Sequence, residues 1–155
     1  MSGRSRMAHA FGRILQAQVV RVMFQALPTP PVMILVHRGR KSGRVYTTPL
    51  SMLAEEPDRG EVVVSPMWGR DADWYRNVVA GGLVEIQVRG EKRQVEWREL
   101  DESEKRSAGE AFRVTRPVYS RLILRMIARL NRFEGDPEEA AMRNLPMLGL
   151  RQVGS

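Results

Sequence analysis

The sequence predicts one α+β domain, 1–155, built around a mostly antiparallel sheet. Its 155 residues match the length of an ordinary domain, and a hydrophobic content of 43% excludes disorder. Short runs rich in β-branched residues, separated by turns, alternate with segments of helical periodicity. Because several short strands in so small a domain most easily close or half-close, we expect a barrel.

The first half of the chain is predicted to hold a helix followed by strands. Apolar residues recur with helical spacing over 8–26, so we assign an N-terminal amphipathic helix to 1–27. Three prolines between positions 28 and 31 end it. The segments expected next are a strand over 32–36, a turn over 39–43, a strand over 46–52, a polar turn over 54–60 and a strand over 61–65.

The second half is predicted to hold one hairpin and several helices. A short helix starts near Asp71 or Asp73 and ends at the glycine pair 81–82. Asp101, with Glu104 three residues later, forms a capping box that opens the C-terminal helices. The expected elements are a hairpin of 83–88 and 93–99 turning at 89–90, the C-terminal helices within 101–145 (the longest over 117–133), and a last strand over 148–153.

The composition excludes several kinds of chemistry. The chain has no cysteine, which rules out disulfides, thiol catalysis and cysteine-ligated metals. Since it contains only His9 and His37 as histidines, we predict no metal site. It has no apolar run of 18 residues and no signal-peptide pattern, so we expect a cytoplasmic protein.

The net charge of +7 predicts an anionic partner. Residues 1–30 carry four arginines and no acid, and Arg121, Arg125 and Arg129 recur every four residues further on. These bases either pair with nearby acids on a solvated helix face, or bring the N-terminal or C-terminal helix onto an anionic membrane. Nucleic acid is not expected, because aromatic residues make up only 6% and do not alternate with bases.

The most informative segment is the turn Gly39-Arg40-Lys41-Ser42-Gly43 between two predicted strands. It is not a Walker A loop, because that motif needs a further glycine ahead of it and a helix after it. Its two glycines let backbone N–H groups converge, and the cations Arg40, Lys41 and Arg44 surround a hydroxyl. This composition fits an anion nest, most naturally for phosphate, and it fits an ordinary basic turn about equally well.

Two ordered motifs resemble the deazaflavin-dependent nitroreductase family of the flavin/deazaflavin oxidoreductase superfamily. The first is the run from Val36 through the Gly39–Gly43 turn to Thr-Pro-Leu at 48–50. The second is Ser65 at the end of a strand, followed by Trp74 and Asn77. The resemblance covers about residues 32–100. It implies an FMN-binding-like split β-barrel of six or seven strands with flanking helices, and coenzyme F-420 (an 8-hydroxy-5-deazaflavin) as cofactor.

The same resemblance implies an enzyme that moves a hydride from the reduced coenzyme to a quinone, nitro compound or activated alkene. Since the cofactor carries that chemistry, no acid–base set is required. We single out only Ser65 and Tyr119 as catalytic candidates. The resemblance implies that the phosphate and anionic tail of the coenzyme are held by Arg40, Lys41, Ser42 and Gly43, with Arg44 and Tyr46 beside them. It implies that Thr48, Pro49 and Leu50 run beside the deazaflavin ring, and that Ser65, Pro66 and Met67 flank this ring. It also implies that Asn77 is a polar contact and Trp74 a packing or stacking residue.

The sequence departs from the family at three of these places. After Ser65 the loop is Pro66-Met67-Trp68-Gly69, where relatives often have a lysine or glycine and a further glycine. Tyr46 stands where many relatives have an arginine that contacts the tail, and Arg44 would have to compensate. Tyr119 stands alone where members acting on nitroimidazoles carry several tyrosines, so nitroreduction does not transfer. Trp74 by itself is more typical of a core aromatic.

Other functions stay open on the sequence. The same barrel accepts FMN, so an FMN-dependent reductase is an alternative. A non-catalytic protein that binds haem, a lipid or a cofactor is another. The small-molecule substrate is not specified by the sequence, and both a monomer and a homodimer are compatible with it.

Overall fold

The computed structural model describes residues 31–154, so the predicted helix over 1–27 lies outside the described residues. Eight strands and four helices make up this part of the chain. The strands are β1 Val32–Arg38, β2 Val45–Ser51, β3 Ala54–Glu56, β4 Glu61–Val64, β5 Leu83–Val88, β6 Glu91–Arg93, β7 Val95–Glu99 and β8 Leu148–Gln152. The helices are α1 Asp73–Asn77, α2 Glu102–Thr115, α3 Pro117–Asn131 and α4 Pro137–Asn144.

The strands form two four-stranded antiparallel sheets, which confirms the α+β class. One has the order β2-β1-β5-β6 and the other β3-β4-β8-β7. No hydrogen-bonded ladder joins the two sheets within residues 31–154. Both sheets contribute to one core cluster that includes Met33, Leu35, Val62, Ile86 and Leu148. Val62, Val63 and Val64 are all buried, because β4 is covered on both faces, and a run of consecutive valines is typical of such a strand.

The predicted hairpin of 83–88 and 93–99 is wrong in its second arm. Only Glu91–Arg93 pairs with β5, and the ladder ends at the pair Ile86–Arg93. After Gln94 the chain passes to the other sheet, where Val95–Glu99 pairs with β8. Alternating apolar residues on β7 show which face is buried, but they do not specify the partner strand.

The predicted polar turn over 54–60 also contains a short strand. Ala54–Glu56 pairs with β4, and the chain then reverses through Pro57–Arg59. Gly60 makes the reversal with a φ of 57°, a left-handed conformation that glycine adopts easily. β3 is an edge strand, so it carries polar residues that face solvent. A hydropathy pattern therefore does not distinguish it from a polar turn.

The predicted cap of α1 is wrong, because α1 follows Ala72 with no side-chain cap and Asp73 is its first residue. Its predicted end at the glycine pair is confirmed, because a π-helical turn over Val78–Gly82 continues α1.

Asp101 accepts a hydrogen bond from the Glu104 N–H, and the Glu104 side chain returns one, which confirms the capping box of α2. Pro117 stands in the first turn of α3, where its missing N–H costs nothing. The buried faces of α2, α3 and α4 meet in a second apolar cluster. None of the helices described within 31–154 is long and apolar enough to cross a membrane.

Candidate active site

The basic turn between β1 and β2 is held by its own backbone. The Gly39 N–H donates to the Arg44 carbonyl at 2.8 Å, and the Gly43 N–H donates to the Gly39 carbonyl at 2.9 Å. The Arg44 N–H reaches the Ser42 hydroxyl at 3.3 Å. Among the described residues this leaves the N–H groups of Lys41 and Ser42 for an anion, together with the cationic side chains. The expected backbone nest is therefore smaller than its glycines suggested.

Asn77 ties this turn to α1. Its Oδ1 accepts hydrogen bonds from the Arg40 N–H at 3.1 Å and from Arg40 Nη1 at 2.9 Å. Arg40 also reaches Asp73 Oδ1 at 3.4 Å. Asn77 is buried, whereas Arg40 keeps part of its guanidinium in solvent. The cation is thus held at the surface by a buried amide, and its geometry is set before any ligand arrives.

His37 extends the same network toward the middle of β2. Asn77 Nδ2 lies 3.1 Å from His37 Nδ1, and His37 Nε2 lies 2.9 Å from the Thr48 hydroxyl. The ring is 3% exposed and stacks on Tyr46 with centroids 5.9 Å apart. Burial lowers the pKa of His37, and the nearby Asp73 carboxylate only partly opposes this. His37 is therefore a neutral, hydrogen-bonded imidazole at neutral pH.

A deep apolar cavity lies on the other side of Thr48. It has a volume of about 290 Å³, close to the lower end for ligand pockets. One wall is β2, the loop after β4 and α1, and the opposite wall is the inner face of α2 and α3. From the first wall come Thr48, Pro49, Leu50, Ser51, Ser65, Met67, Trp68 and Trp74, and from the helices Phe112, Tyr119, Ile123, Leu124 and Ile127.

A basic cleft lies at the other end of the network. It is shallow, with a volume of about 460 Å³, and its cations are Arg40, Lys41 and Arg76. Val79 and Ala80 supply an apolar floor. Arg40 and Arg76 also reach Asp73 and Asp71, whereas Lys41 is exposed. The cleft therefore offers several donors to an anionic chain running over the protein surface.

Most of the residues that the sequence singled out fall into these two places. Thr48, Pro49, Leu50, Ser65, Met67, Trp74 and Tyr119 line the cavity, and Arg40 and Lys41 line the cleft. Asn77 lies in the network between them. Ser42 and Tyr46 hydrogen-bond each other at 3.2 Å on the exposed side of the turn, near Gly43 and Arg44. Pro66 is buried but does not line the cavity.

Three of the cavity residues have distinct environments. Trp74 belongs to the core cluster and lines the cavity as well, so the core interpretation and the binding interpretation both describe it. The Ser65 hydroxyl donates to the Pro146 carbonyl at 2.7 Å. Burial raises the pKa of Tyr119 against a smaller opposing contribution from a hydrogen bond with Ser51. Tyr119 therefore presents a protonated hydroxyl.

Sequence reasoning missed two parts of this site. His37 was treated only as one of two histidines, although a lone polar residue at the end of an apolar strand signals a buried hydrogen-bonding partner. The helical wall, with Phe112, Ile123 and Ile127, was not among the predicted site residues, because helical periodicity does not distinguish a packed face from a cavity wall.

The arrangement defines a class of protein. An apolar cavity for a ring system, joined by buried hydrogen bonds to a cationic cleft, fits an amphiphilic ligand with an aromatic head and an anionic tail. A redox cofactor of the flavin type has this form, and the donors and apolar walls present here suit it.

Comparison with known proteins identifies the family. The sequence profile of the family described as F420H(2)-dependent quinone reductase matches residues 5–125. This is more than half of the chain, so the protein belongs to that family. It is an oxidoreductase, and its cofactor is coenzyme F-420.

Solved structures support the fold. The chain is similar to a structure described as "F420-H2 Dependent Reductase (FDR-A)", with 20% identity, a TM-score of 0.55 and coverage of 81% of this chain and 97% of the other. It is also similar to a structure described as a domain-swapped dimer, with 19% identity, a TM-score of 0.54 and coverage of 90% and 98%. No curated protein sequence shows significant similarity to the chain.

Proposed function

We propose that this enzyme reduces quinones with reduced coenzyme F-420, holding the deazaflavin ring in the apolar cavity and the phosphate and anionic tail in the basic cleft. The observation that carries the proposal is the continuous path from Thr48 on the cavity wall, through His37 and Asn77, to Arg40 in the cleft. A ligand with an apolar head and an anionic tail meets complementary surfaces at both ends of this path.

The bound coenzyme supplies a hydride, that is two electrons and one proton. Reduction of a quinone to a quinol requires that hydride and one further proton, which the reduced quinone takes from solvent as it leaves the site. The walls of the cavity exclude water from the ring systems, because most of their lining atoms are apolar. Tyr119 would donate a hydrogen bond to a quinone carbonyl, since its hydroxyl stays protonated. Ser65 is less suited, because its proton is already donated to Pro146.

The remaining finer predictions follow from the same fold. The two sheets would correspond to the halves of a split barrel, with Tyr46, Ser42 and Gly43 at the rim near the cofactor tail. Nitro compounds and activated alkenes are electrophiles that could accept the same hydride, and they belong in the substrate panel after quinones. A homodimer has support from the domain-swapped neighbour.

A contact between the outer face of α3 and an anionic membrane would bring the enzyme to lipid-soluble quinones. That face exposes Val118, Leu122 and Leu130 beside Arg121 and Arg125. Glu138 pairs with both arginines, at 3.9 and 3.2 Å, which supports the alternative of a solvated face. Co-sedimentation with phosphatidylglycerol vesicles, compared with phosphatidylcholine vesicles, distinguishes the two: binding to neither leaves a cytoplasmic enzyme.

Anaerobic titration of the purified protein tests the main proposal. We expect saturable binding of coenzyme F-420 at micromolar concentrations and oxidation of its reduced form on addition of a quinone. Binding of FMN instead would favour the FMN-dependent alternative. Binding of the coenzyme without turnover of any quinone, nitro compound or alkene would favour a non-catalytic cofactor-binding protein.

A further inference from the structure

The hydrogen-bond donors around Asn77 determine the state of His37. The Arg40 N–H and Nη1 can only donate, so the Asn77 atom that they share is the carbonyl oxygen. The amide nitrogen of Asn77 then faces His37 Nδ1 as a donor. Nδ1 must therefore accept, and the single ring proton resides on Nε2.

The same reasoning continues to Thr48. Since His37 Nε2 carries the proton, it donates to the Thr48 hydroxyl oxygen 2.9 Å away. The Thr48 hydroxyl proton is then left for another acceptor. Thr48 lines the cavity, where an acceptor atom of a bound ring would receive this hydrogen bond.

We propose that His37 is a positioning residue that orders both ends of the binding site: as an acceptor it holds Asn77 and Arg40 at the cleft, and as a donor it leaves the Thr48 hydroxyl free to donate into the cavity. This inference deepens the proposed function and rests on it. A single neutral imidazole thereby couples recognition of the tail to recognition of the ring.

The position of His37 favours this role over a purely structural one. It stands on the β1 face that also carries the core residues Met33 and Leu35, where an apolar side chain would be expected. A leucine there would leave Asn77 Nδ2 and the Thr48 hydroxyl without this partner. The buried imidazole satisfies both groups, and both of them belong to the site.

The tautomer is tested first, on the ligand-free protein. The chain has only two histidines, so a long-range proton–nitrogen correlation spectrum contains two rings, and His9→Gln assigns them. We expect the His37 ring to show the pattern of a neutral imidazole protonated at Nε2. A ring protonated at Nδ1, or charged at pH 7, would overturn the proposal whatever the enzyme binds.

Two conservative variants then separate the two contacts. The amide of His37→Asn reaches the place of Nδ1 and keeps an acceptor for Asn77, but it loses the contact with Thr48. The amide of His37→Gln reaches the place of Nε2 and keeps the donor to Thr48, but it loses the acceptor for Asn77. His37→Leu removes both contacts, and thermal melting confirms that each variant folds.

Binding of coenzyme F-420 is compared with binding of 8-hydroxy-5-deazariboflavin, which has the ring but no phosphate or tail. For His37→Gln we expect a Kd about tenfold higher for the full coenzyme and unchanged for the tail-less ring. For His37→Asn we expect the same rise for both, matching Thr48→Val. Equal losses in the two conservative variants would overturn the proposal. If the wild type binds neither compound, the proposed function fails while the tautomer experiment still tests His37.

Discussion

Arg98 on β7 donates two hydrogen bonds to the buried Glu61 on β4, from Nε to Oε2 at 2.9 Å and from Nη2 to Oε1 at 2.7 Å. Glu61 is 1% exposed, so its carboxylate depends on these donors. The pair spans β8, which lies between the two strands. We expect Arg98→Ala to lower the free energy of unfolding by about 3–5 kcal/mol, because it leaves a buried charge with less compensation.

Arg151 provides the control for this prediction. It also reaches Glu61, at 3.5 Å, but half of its side chain is in solvent. Arg151→Ala should cost about 1 kcal/mol or less. Urea unfolding of both variants measures the difference. An equal loss of free energy of unfolding would show that the two hydrogen bonds of Arg98 stabilise the fold no more than the contact of Arg151.

Glu104 predicts a dependence of stability on pH. Its hydrogen bond with Arg98 lowers its pKa to about 2, from an ordinary value of 4.5. A carboxylate with a lowered pKa stabilises the fold above its unfolded pKa, and this contribution disappears as the pH falls from 4.5 toward 2. Glu104→Gln should therefore be less stable than the wild type at pH 7 and equally stable near pH 2. A difference that does not change with pH would contradict this prediction.

Gly109 sets the packing of α2 against α4 and thereby the size of the cavity. A Cβ at this position would collide with the terminal methyl of Met142, and both residues line the cavity. Because a methionine side chain is flexible, Gly109→Ala should cost only about 1–2 kcal/mol while displacing Met142. We expect the KM for bulky quinones to rise more than that for benzoquinone. The double variant with Met142→Ala should restore the wild-type ratio, and an unchanged ratio in the single variant would argue against this displacement.

Tyr119 predicts a change in catalysis. If its hydroxyl donates to the quinone, Tyr119→Phe should lower kcat about tenfold or more, with unchanged binding of the coenzyme. Since burial raises its pKa above 10, this group should add no inflection to the pH profile between about pH 6 and 9. Thr115→Val is the control, because that hydroxyl donates to the Ala111 carbonyl at 2.8 Å and lines neither the cavity nor the cleft. Equal activity of both variants would remove Tyr119 from the mechanism.

Lys41 tests the cleft without disturbing the fold. It is exposed, whereas Arg40 shares hydrogen bonds with the buried Asn77, so Arg40→Ala would combine lost binding with a local defect. We expect Lys41→Ala to weaken coenzyme binding by about 1.5–3 kcal/mol, as the loss of a charge-assisted hydrogen bond does. Lys92→Ala, which removes an exposed lysine on β6, should have no effect. The same Kd for both variants and the wild type would mean that the tail binds elsewhere.

Local sequence signals predicted most of the elements correctly. Three of these signals are the capping box at Asp101 and Glu104, the proline at 117 and the valine run in β4. Each depends on residues only a few positions apart, so the local sequence is enough to predict the element. The division of β6 from β7 at Gln94 could not be predicted in this way. It depends on β8, which is more than 50 residues away, and on which edge is free to accept a strand.

The sequence by itself determined the family motifs, the placement of the cations in one turn and the absence of cysteine chemistry, because these depend on residue identity and short spacing. Only the tertiary structure decided that Asn77 and Thr48 are joined through His37, since three separate elements must meet before those hydrogen bonds exist. It also decided that the inner face of α3 forms the wall of a cavity. Whether an apolar face is packed or left open depends on the distance between elements, and hydropathy does not contain that distance.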